Sequence, residues 1–203
     1  MLAFGDSILL GTGDARGVGW PGRLAGTRLG PSPVIYNLGV ASDTVADISA
    51  RWHGEAAARS SGAGSLAIVF AFGINDATLE QGRHRVPLAR CLGLGRSMIE
   101  RAAGIATVLW IGPTLVDETH QPRRVATGQL RDKRNREIAR YDAAFAELAG
   151  ELGRPYLSLF PILAAEAAWC RELADGVHPD TAGHDRLAAL IGAWPPWRET
   201  VGG

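Results

Sequence analysis

The N-terminal stretch constrains the fold of this chain most, because it is an apolar run that stops abruptly at Gly-Asp-Ser. A short apolar run bounded by a turn signal is typical of a strand buried in a parallel sheet. In open α/β sheets, ligands bind beyond the carboxyl ends of such strands. We therefore predict that Ser7 lies at the mouth of a site, although Asp6 and Ser7 are also residue types that begin helices.

Four more apolar runs follow, and stretches with helical character separate them. The runs cover residues 33–38, 66–72, 105–111 and 155–160. Strands that alternate with helices build a parallel sheet with both faces covered. The sequence therefore predicts an α/β fold with a five-stranded parallel sheet, within one domain of residues 1–203. The ends of the first four strands, which should share one edge of the sheet, lie at Ser7, Gly39, Asn75 and Gly112.

Helices are predicted between the strands from the spacing of apolar residues and from residues that begin or end helices. They cover residues 20–29, 44–59, 87–103, 131–152, 164–169 and 181–193. The stretch from residue 114 to residue 130 is long and polar. We predict a loop there that closes over a site or moves, because loops of that length are usually functional.

Composition excludes several classes of function. The chain has 203 residues, of which 46% are apolar and 21% charged, and its formal net charge is zero. A neutral balance provides no overall field for nucleic acid, so no nucleic-acid partner is expected. The longest apolar run, residues 66–72, is far shorter than the roughly 20 residues of a membrane helix, so no stable membrane insertion is expected.

The cellular location is predicted from the cysteines and the N-terminus. Cys91 and Cys170 are far apart and form no CxxC pair. The N-terminus shows no basic segment followed by an apolar core and a cleavage site. Lone cysteines in a chain without an export signal indicate a reducing compartment, so a cytoplasmic location is expected. The sequence leaves open whether the chain forms homo-oligomers.

A nucleophilic serine requires a base, and one loop near the C-terminus offers it. A serine hydroxyl is a weak nucleophile until a neighbouring base takes its proton, and histidine suits that task near neutral pH. A carboxylate then fixes the imidazole tautomer and stabilises the imidazolium. Asp175 and His178 lie three residues apart around Gly176, after the last predicted strand. We therefore expect Ser7, His178 and Asp175 to meet as nucleophile, base and orienting acid.

Acyl transfer also needs hydrogen-bond donors for the negative oxygen of the intermediate. Gly39 ends the second strand, where a backbone N–H can approach closely, and Asn75 ends the third strand with a side-chain amide. Each residue alone is more typical of an ordinary turn. Their joint position at successive strand ends favours an oxyanion site formed by Gly39, Asn75 and the Ser7 N–H.

No cofactor is expected. Residues 17–22 match the spacing GxGxxG, but they do not follow a strand directly and they contain Pro21, so dinucleotide binding is rejected. The sequence has neither an HExxH motif nor a cysteine–histidine cluster, and no metal site is predicted.

Four short blocks together resemble the SGNH hydrolases, also called the GDSL family. They are residues 5–7, residues 37–39, residues 73–76 and residues 175–179, in the order that the family shows. The resemblance implies a flavodoxin-like three-layer α/β/α fold and an esterase or lipase activity. It assigns Ser7 as nucleophile, His178 as base and Asp175 as its partner. It also assigns Ser7, Gly39 and Asn75 as oxyanion donors.

Residues 112–114 and 116–118 also resemble the bacterial branch of small esterases in this family. We therefore expect a serine ester hydrolase that works through an acyl-enzyme on a small-molecule ester with a short-chain acyl, aryl or lipid group. A carbohydrate O-deacetylase or an acyltransferase would use the same triad, and both stay open. The intact triad and donors disfavour a ligand-binding domain without activity.

Overall fold

The computed structural model describes residues 1–26, 34–60 and 66–202. The strands found there are β1 (Leu2–Gly5), β2 (Tyr36–Gly39), β3 (Ala67–Ala71), β4 (Leu79–Glu80), β5 (Arg83–His84), β6 (Thr107–Ile111), β7 (Arg123–Arg124), β8 (Leu130–Asp132) and β9 (Tyr156–Leu157). Five of them form the main sheet, which is parallel and has the spatial order β2-β1-β3-β6-β9. The predicted five-stranded parallel sheet is therefore confirmed.

Helices flank this main sheet, as an α/β fold requires. They are α1 (Ser7–Leu10), α2 (Gly19–Gly26), α3 (Val45–Ser60), α4 (Leu88–Ala103), α5 (Asn135–Glu151), α6 (Leu159–Ala164), α7 (Thr181–Ala193) and α8 (Pro195–Gly202). They pack in two groups, with α7 between α2 and α8 and with α4 between α3 and α5. None of the helices in the described ranges is both long enough and apolar enough to cross a bilayer.

The strand order explains where a site can form. Because β1 lies between β2 and β3, the chain moves from β1 to one side for β2 and then crosses to the other side for β3. Loops after neighbouring strands diverge at such a point and leave a crevice beyond the carboxyl ends. Ser7 follows β1 and Gly39 ends β2, so both residues lie at this crevice.

The central strands are supported by aromatic packing on buried faces. All four residues of β1 and the three middle residues of β3 are buried. Phe4 and Phe70 stack across these strands with ring centroids 5.8 Å apart, and Trp52 of α3 meets Phe70 edge-on at 5.7 Å. Burying a large apolar side chain stabilises a fold by roughly 1.5–3 kcal/mol, so the strand ends that carry the site rest on a rigid core.

A small second sheet forms where the sequence predicts a loop. We call β4, β5, β7 and β8 the cap sheet, and they pair antiparallel in the order β5-β4-β8-β7. Residues 114–130 thus contain a turn of 3₁₀ helix (Glu118–His120), β7 and the start of β8, and the prediction of one long loop is wrong. Each strand of the cap sheet has two or three mostly polar residues, so no alternating apolar pattern marks it in the sequence.

Other predicted boundaries are corrected for local reasons. Helix α5 begins at Asn135 rather than at residue 131, because residues 130–132 pair as β8. Strand β9 stops at Leu157, and the chain then turns into α6, so the helix predicted over 164–169 is wrong. Helices α1 and α8 were not predicted, whereas α7 has the predicted bounds. Residues 27–29 of the first predicted helix and residue 33 of the second predicted strand lie outside the described residues.

Candidate active site

Ser7 is held at the turn between β1 and α1. The Asp6 side chain begins α1 by accepting a hydrogen bond from the Ile8 N–H at 2.9 Å. Glycine is required at position 5, because a Cβ on Gly5 would lie 2.6 Å from the Ala71 carbonyl oxygen. The Ser7 N–H belongs to the first turn of the helix and has no acceptor among the described residues. It is therefore available to a negative oxygen.

His178 and Asp175 lie on a tight loop that precedes α7. The Ala174 N–H donates to the His178 carbonyl oxygen at 2.7 Å and closes the loop. Gly176 at its tip has a φ of +80°, and a Cβ there would lie 2.6 Å from the His120 side chain. A left-handed backbone angle and a close neighbour together require glycine at this position.

The three residues predicted as a triad form one hydrogen-bonded series. His178 Nε2 lies 3.0 Å from Ser7 Oγ, and His178 Nδ1 lies 2.8 Å from Asp175 Oδ2. The other carboxylate oxygen, Asp175 Oδ1, accepts from the N–H groups of Val177 and His178. Burial alone would raise the pKa of Asp175, but hydrogen bonds from His178 and Arg123 hold that pKa well below its usual range. The group is thus a carboxylate that can orient and stabilise the imidazole.

Asn75 lies on the turn after β3, with its amide beside the start of α1. Its Nδ2 donates to the Asp43 carbonyl oxygen at 3.0 Å and lies 3.5 Å from Asp6 Oδ2. Its Oδ1 accepts from the Lys133 ammonium at 3.2 Å. Asp43 uses one amide hydrogen, and the second is at the limit of hydrogen-bond distance from Asp6, so it can serve a substrate oxygen.

Gly39 lies at the crevice, but its N–H is engaged. This N–H donates to Asn37 Oδ1 at 3.0 Å, so a substrate oxygen would have to share or replace that bond. The glycine is required for another reason, since a Cβ would lie 2.4 Å from the Leu10 backbone nitrogen of α1. Further along the same loop, the exposed Ser42 has a φ of +71°, and its N–H has no acceptor in the described part of the chain.

Residues 3–186 match the model of the GDSL-like lipase/acylhydrolase family. The chain belongs to this family. It is therefore a carboxylic ester hydrolase at the level of the family, as the four sequence blocks predict. A comparison with the curated proteins gives no match.

Solved structures share the fold of this GDSL-like hydrolase over nearly its whole length. A lipase/acylhydrolase from Enterococcus faecalis is 23% identical with a TM-score of 0.73, and the match covers 99% of this chain and 95% of that one. An acetylxylan esterase from Geobacillus stearothermophilus is 21% identical with a TM-score of 0.68, and the match covers 100% and 93%. Three catalytic mutants of that esterase replace a serine, an aspartate and a histidine by alanine, and the aspartate precedes the histidine by three positions.

Among the described residues, three ionisable side chains near the site of this GDSL-like hydrolase are buried, namely Asp6, Asp76 and Lys133. Asp76 Oδ1 accepts from the Val45 N–H at 2.9 Å and ties the turn after β3 to α3. Burial, helped by repulsion from Asp6, raises the pKa of Asp76 to about 7. Burial lowers the pKa of Lys133 to about 7, although attraction to Asp6 opposes this change. The pKa values of these buried groups therefore depend on one another.

Two positively charged residues at the site of the GDSL-like hydrolase are not predicted by the sequence analysis. Arg123 of β7 donates to Asp175 Oδ2 at 2.5 Å, the same oxygen that faces His178. Lys133 follows β8 and reaches Asn75. Both residues belong to the region of the cap sheet, which the sequence does not predict. No sequence pattern therefore indicates that they lie at the active site. The one available signal is that Lys133 is the only lysine among the 21 lysine and arginine residues.

Proposed function

We propose that this protein hydrolyses carboxylic esters through an acyl-enzyme on Ser7, with His178 as the base and Asp175 as the orienting acid. The observation that carries the proposal is the hydrogen-bonded series from Ser7 Oγ through the His178 ring to Asp175, with distances of 3.0 and 2.8 Å. Both distances are short enough for proton transfer without movement of the loop that carries Asp175 and His178. The residue types replaced in the catalytic mutants of the acetylxylan esterase, and the spacing of its aspartate and histidine, support the same assignment.

The first half-reaction forms the acyl-enzyme. Ser7 Oγ attacks the ester carbonyl carbon while His178 Nε2 takes the hydroxyl proton. Asp175 keeps the other ring proton on His178 Nδ1 and stabilises the imidazolium. When the tetrahedral intermediate collapses, its bond to the alcohol oxygen breaks, and His178 gives the proton to that oxygen. In the second half-reaction, His178 takes a proton from water as the water oxygen attacks the acyl carbon. The bond from that carbon to Ser7 Oγ then breaks, and His178 returns the proton to Oγ, which releases the carboxylic acid and free Ser7.

The negative oxygen of each intermediate is stabilised by the Ser7 N–H and by Asn75 Nδ2 in this proposal. The sequence also assigns Gly39 to this role. Because the Gly39 N–H donates to Asn37, we propose as the third donor the Ser42 N–H, which has no acceptor among the described residues. Gly39 then has the different role of letting α1 approach β2 closely.

Two substrate classes fit this mechanism. The first is a small ester with a short-chain acyl, aryl or lipid group, and the second is an O-acetylated carbohydrate. The similarity to the acetylxylan esterase over the full length of the chain supports keeping the second class as the alternative to the first. Both classes share the acyl-enzyme and differ in the alcohol that is released.

Covalent labelling followed by turnover tests the proposal. A fluorophosphonate should label the wild-type protein at Ser7 and leave Ser7→Ala unlabelled, and only the wild type should hydrolyse 4-nitrophenyl acetate. Equal turnover by the two proteins would contradict the assignment of Ser7. Acetate release from acetylated xylooligosaccharides, compared with hydrolysis of aryl and lipid esters of increasing chain length, would separate the two substrate classes.

A further inference from the structure

The buried ammonium of Lys133 takes no part in the acyl transfer described above, yet it contacts the oxyanion site. Lys133 lies between β8 and α5, and only 6% of its surface is exposed. Its Nζ donates to Asn75 Oδ1 at 3.2 Å and to Thr78 Oγ1 at 2.6 Å. Burying an amine is unfavourable unless it is hydrogen-bonded, so an apolar residue would serve better if packing were its only role.

The contact with Lys133 fixes the orientation of the Asn75 amide. In its protonated form, the Lys133 amine can only donate hydrogen bonds, whereas the oxygen of an amide accepts and its nitrogen donates. Asn75 Oδ1 must therefore face Lys133, and Nδ2 must face the side where the Asp43 carbonyl oxygen and the Asp6 carboxyl group lie. Without the ammonium, Asn75 Oδ1 would be buried with no donor in the described ranges. No hydrogen bond to Oδ1 would then hold the amide against rotation.

The Asn75 amide lies between the Lys133 ammonium and the Asp6 carboxyl group. The ammonium of Lys133 lies at the oxygen end of the amide at 3.2 Å, and the Asp6 carboxyl group lies at its nitrogen end at 3.5 Å. A positive charge at the oxygen polarises the amide and strengthens its N–H groups as donors.

On the basis of the proposed acyl transfer, we propose that Lys133 is a positioning residue of the oxyanion site. Its ammonium holds and polarises the Asn75 amide, so that Nδ2 binds the negative oxygen of the tetrahedral intermediate. Its side-chain hydrogen bonds within the described residues go to Asn75 and Thr78 and not to Ser7, so it acts through Asn75. Lys133 should therefore raise kcat and have little effect on KM.

A double-mutant cycle of Lys133→Met and Asn75→Ala, measured with 4-nitrophenyl acetate, tests this role. Methionine keeps an unbranched apolar stem but has no donor. Lys133→Met should lower kcat about 10- to 100-fold, with KM within about threefold, because it removes part of what Asn75 provides. The double variant should have the kcat of Asn75→Ala within about threefold, because nothing is left to position. A kcat for Lys133→Met within about threefold of wild type, or losses that multiply in the double variant, would overturn the proposal.

Two controls separate this inference from the proposed function and from simple destabilisation. Wild type and Ser7→Ala are measured first, since absent wild-type turnover would refute acyl transfer itself, whereas the cycle refutes only the role of Lys133. Asp142→Asn is the matched control, because Asp142 is also buried and accepts from the hydroxyls of Tyr156 and Ser158. It should lower the thermal unfolding midpoint without the loss of kcat. A loss equal to that of Lys133→Met would mean that destabilisation explains both.

A measurement on the unsubstituted protein covers the case in which Lys133→Met does not fold. Because Lys133 is the only lysine, ¹⁵N-labelled lysine gives a single side-chain NMR signal. A fluorophosphonate that reacts with Ser7 places a P=O oxygen where the substrate oxyanion would lie. The Lys133 Nζ signal should shift on this reaction, since the ammonium and the oxygen share the Asn75 amide. A signal that does not move would overturn the proposal.

Discussion

The edge of the main sheet and the cap sheet both bring polar groups to the site, but their surroundings differ. At the edge, Ser7 is 8% exposed, Asn75 5% and Asp76 0%. In the cap sheet, the side chains of Arg123 and Glu80 are 32% and 28% exposed, and that of Arg131 is 12% exposed. Interactions between charges are several times weaker where water screens them than where they are buried. We infer that the edge determines the reaction rate and that the cap sheet adjusts it.

Lys133 shows that the surroundings of a charged group depend on where its side chain ends and not on its position along the chain. It directly follows β8 of the cap sheet, yet its ammonium ends at Asn75 on the edge of the main sheet. Arg123 comes from the neighbouring strand β7 and reaches Asp175 near solvent. Two cations from one small sheet therefore meet different dielectric surroundings. Substitutions at the edge should consequently have larger effects than substitutions in the cap sheet.

Ser7→Ala should have the largest effect, since this edge residue supplies the proposed nucleophile. The kcat for 4-nitrophenyl acetate should fall by at least about 10⁴-fold. The fold should persist, because the Asp6 side chain still caps α1. Circular dichroism and thermal unfolding check the fold. Ser158→Ala is the control, because it removes a hydroxyl bonded to Asp142 and should leave kcat nearly unchanged. Substantial turnover in Ser7→Ala would mean that the nucleophile lies elsewhere.

Asn75→Ala should have the next largest effect. Loss of an oxyanion donor should lower kcat by about 10²- to 10³-fold with little change in KM, as steady-state kinetics would measure. Asn135→Ala is a matched control, because Asn135 also uses both ends of its amide, accepting from the Val116 N–H and donating to the Val116 carbonyl oxygen. It should lower stability by about 1–2 kcal/mol and leave kcat within about fivefold. Similar losses of kcat in both variants would contradict a special role for Asn75.

The same division between edge and cap separates what the sequence could predict from what it could not. Residues 66–72 are continuously apolar, which is typical of a strand covered on both faces, and β3 lies within them. The sequence predicts α7 with the correct bounds because Asp180, a good N-cap residue, precedes it. In the structure, Asp180 accepts from the Gly183 N–H. These signals are local, and so is the spacing of Asp175 and His178 on one loop.

The cap sheet depends on contacts that no local pattern records. Leu79 pairs with Asp132, more than fifty residues away, in strands too short to show a period. The partners of Arg123 and Lys133 are tertiary contacts of the same kind. Gly39 is a different case, since its sequence position does indicate a close approach. The structure shows that the approaching group is the backbone of α1, which a sequence pattern cannot specify.

Asp76→Asn should change how stability depends on pH. Because burial raises the native pKa of Asp76 to about 7, the folded state binds this proton more tightly than the unfolded state between about pH 4 and pH 7. Protonation of Asp76 therefore makes its full contribution to the stability of the folded state below about pH 4, and this contribution is lost as the pH rises through 7. Between pH 5 and pH 7, the free energy of unfolding of wild type should fall by about 2–3 kcal/mol relative to Asp76→Asn.

Urea unfolding of both proteins at pH 5 and pH 7 measures this difference. Glu80→Gln in the cap sheet is the control, since the Glu80 carboxylate is partly exposed and accepts from Arg131 at 2.6 Å. Its difference from wild type should be nearly the same at the two pH values. If Glu80→Gln and Asp76→Asn gave equal pH slopes, the contrast in burial between the edge and the cap sheet would not govern their energetics.

Arg123→Gln should have the smallest effect of the four, because two consequences oppose each other. The Arg123 guanidinium fixes Asp175 Oδ2, and its loss would leave the carboxylate less firmly oriented toward His178. Losing the Arg123 guanidinium would also raise the pKa of Asp175 toward its usual range. The guanidinium competes with the imidazolium of His178 for the Asp175 carboxylate, so its removal would strengthen the support that the carboxylate gives to the imidazolium. Since both partners are about one-third exposed, water and salt screen the pair.

We therefore expect kcat/KM of Arg123→Gln to change by no more than about tenfold, and the change to shrink as salt rises from 0.05 to 0.5 M. Arg124→Gln is the matched control, since Arg124 is the next residue of β7 and donates to the Gly128 carbonyl oxygen within the same region. It should leave kcat/KM unchanged at every salt concentration. If Arg123→Gln instead lost as much activity as Asn75→Ala, the cap sheet would have to be counted as part of the rate-determining machinery, because screening could not then have weakened its contact with Asp175.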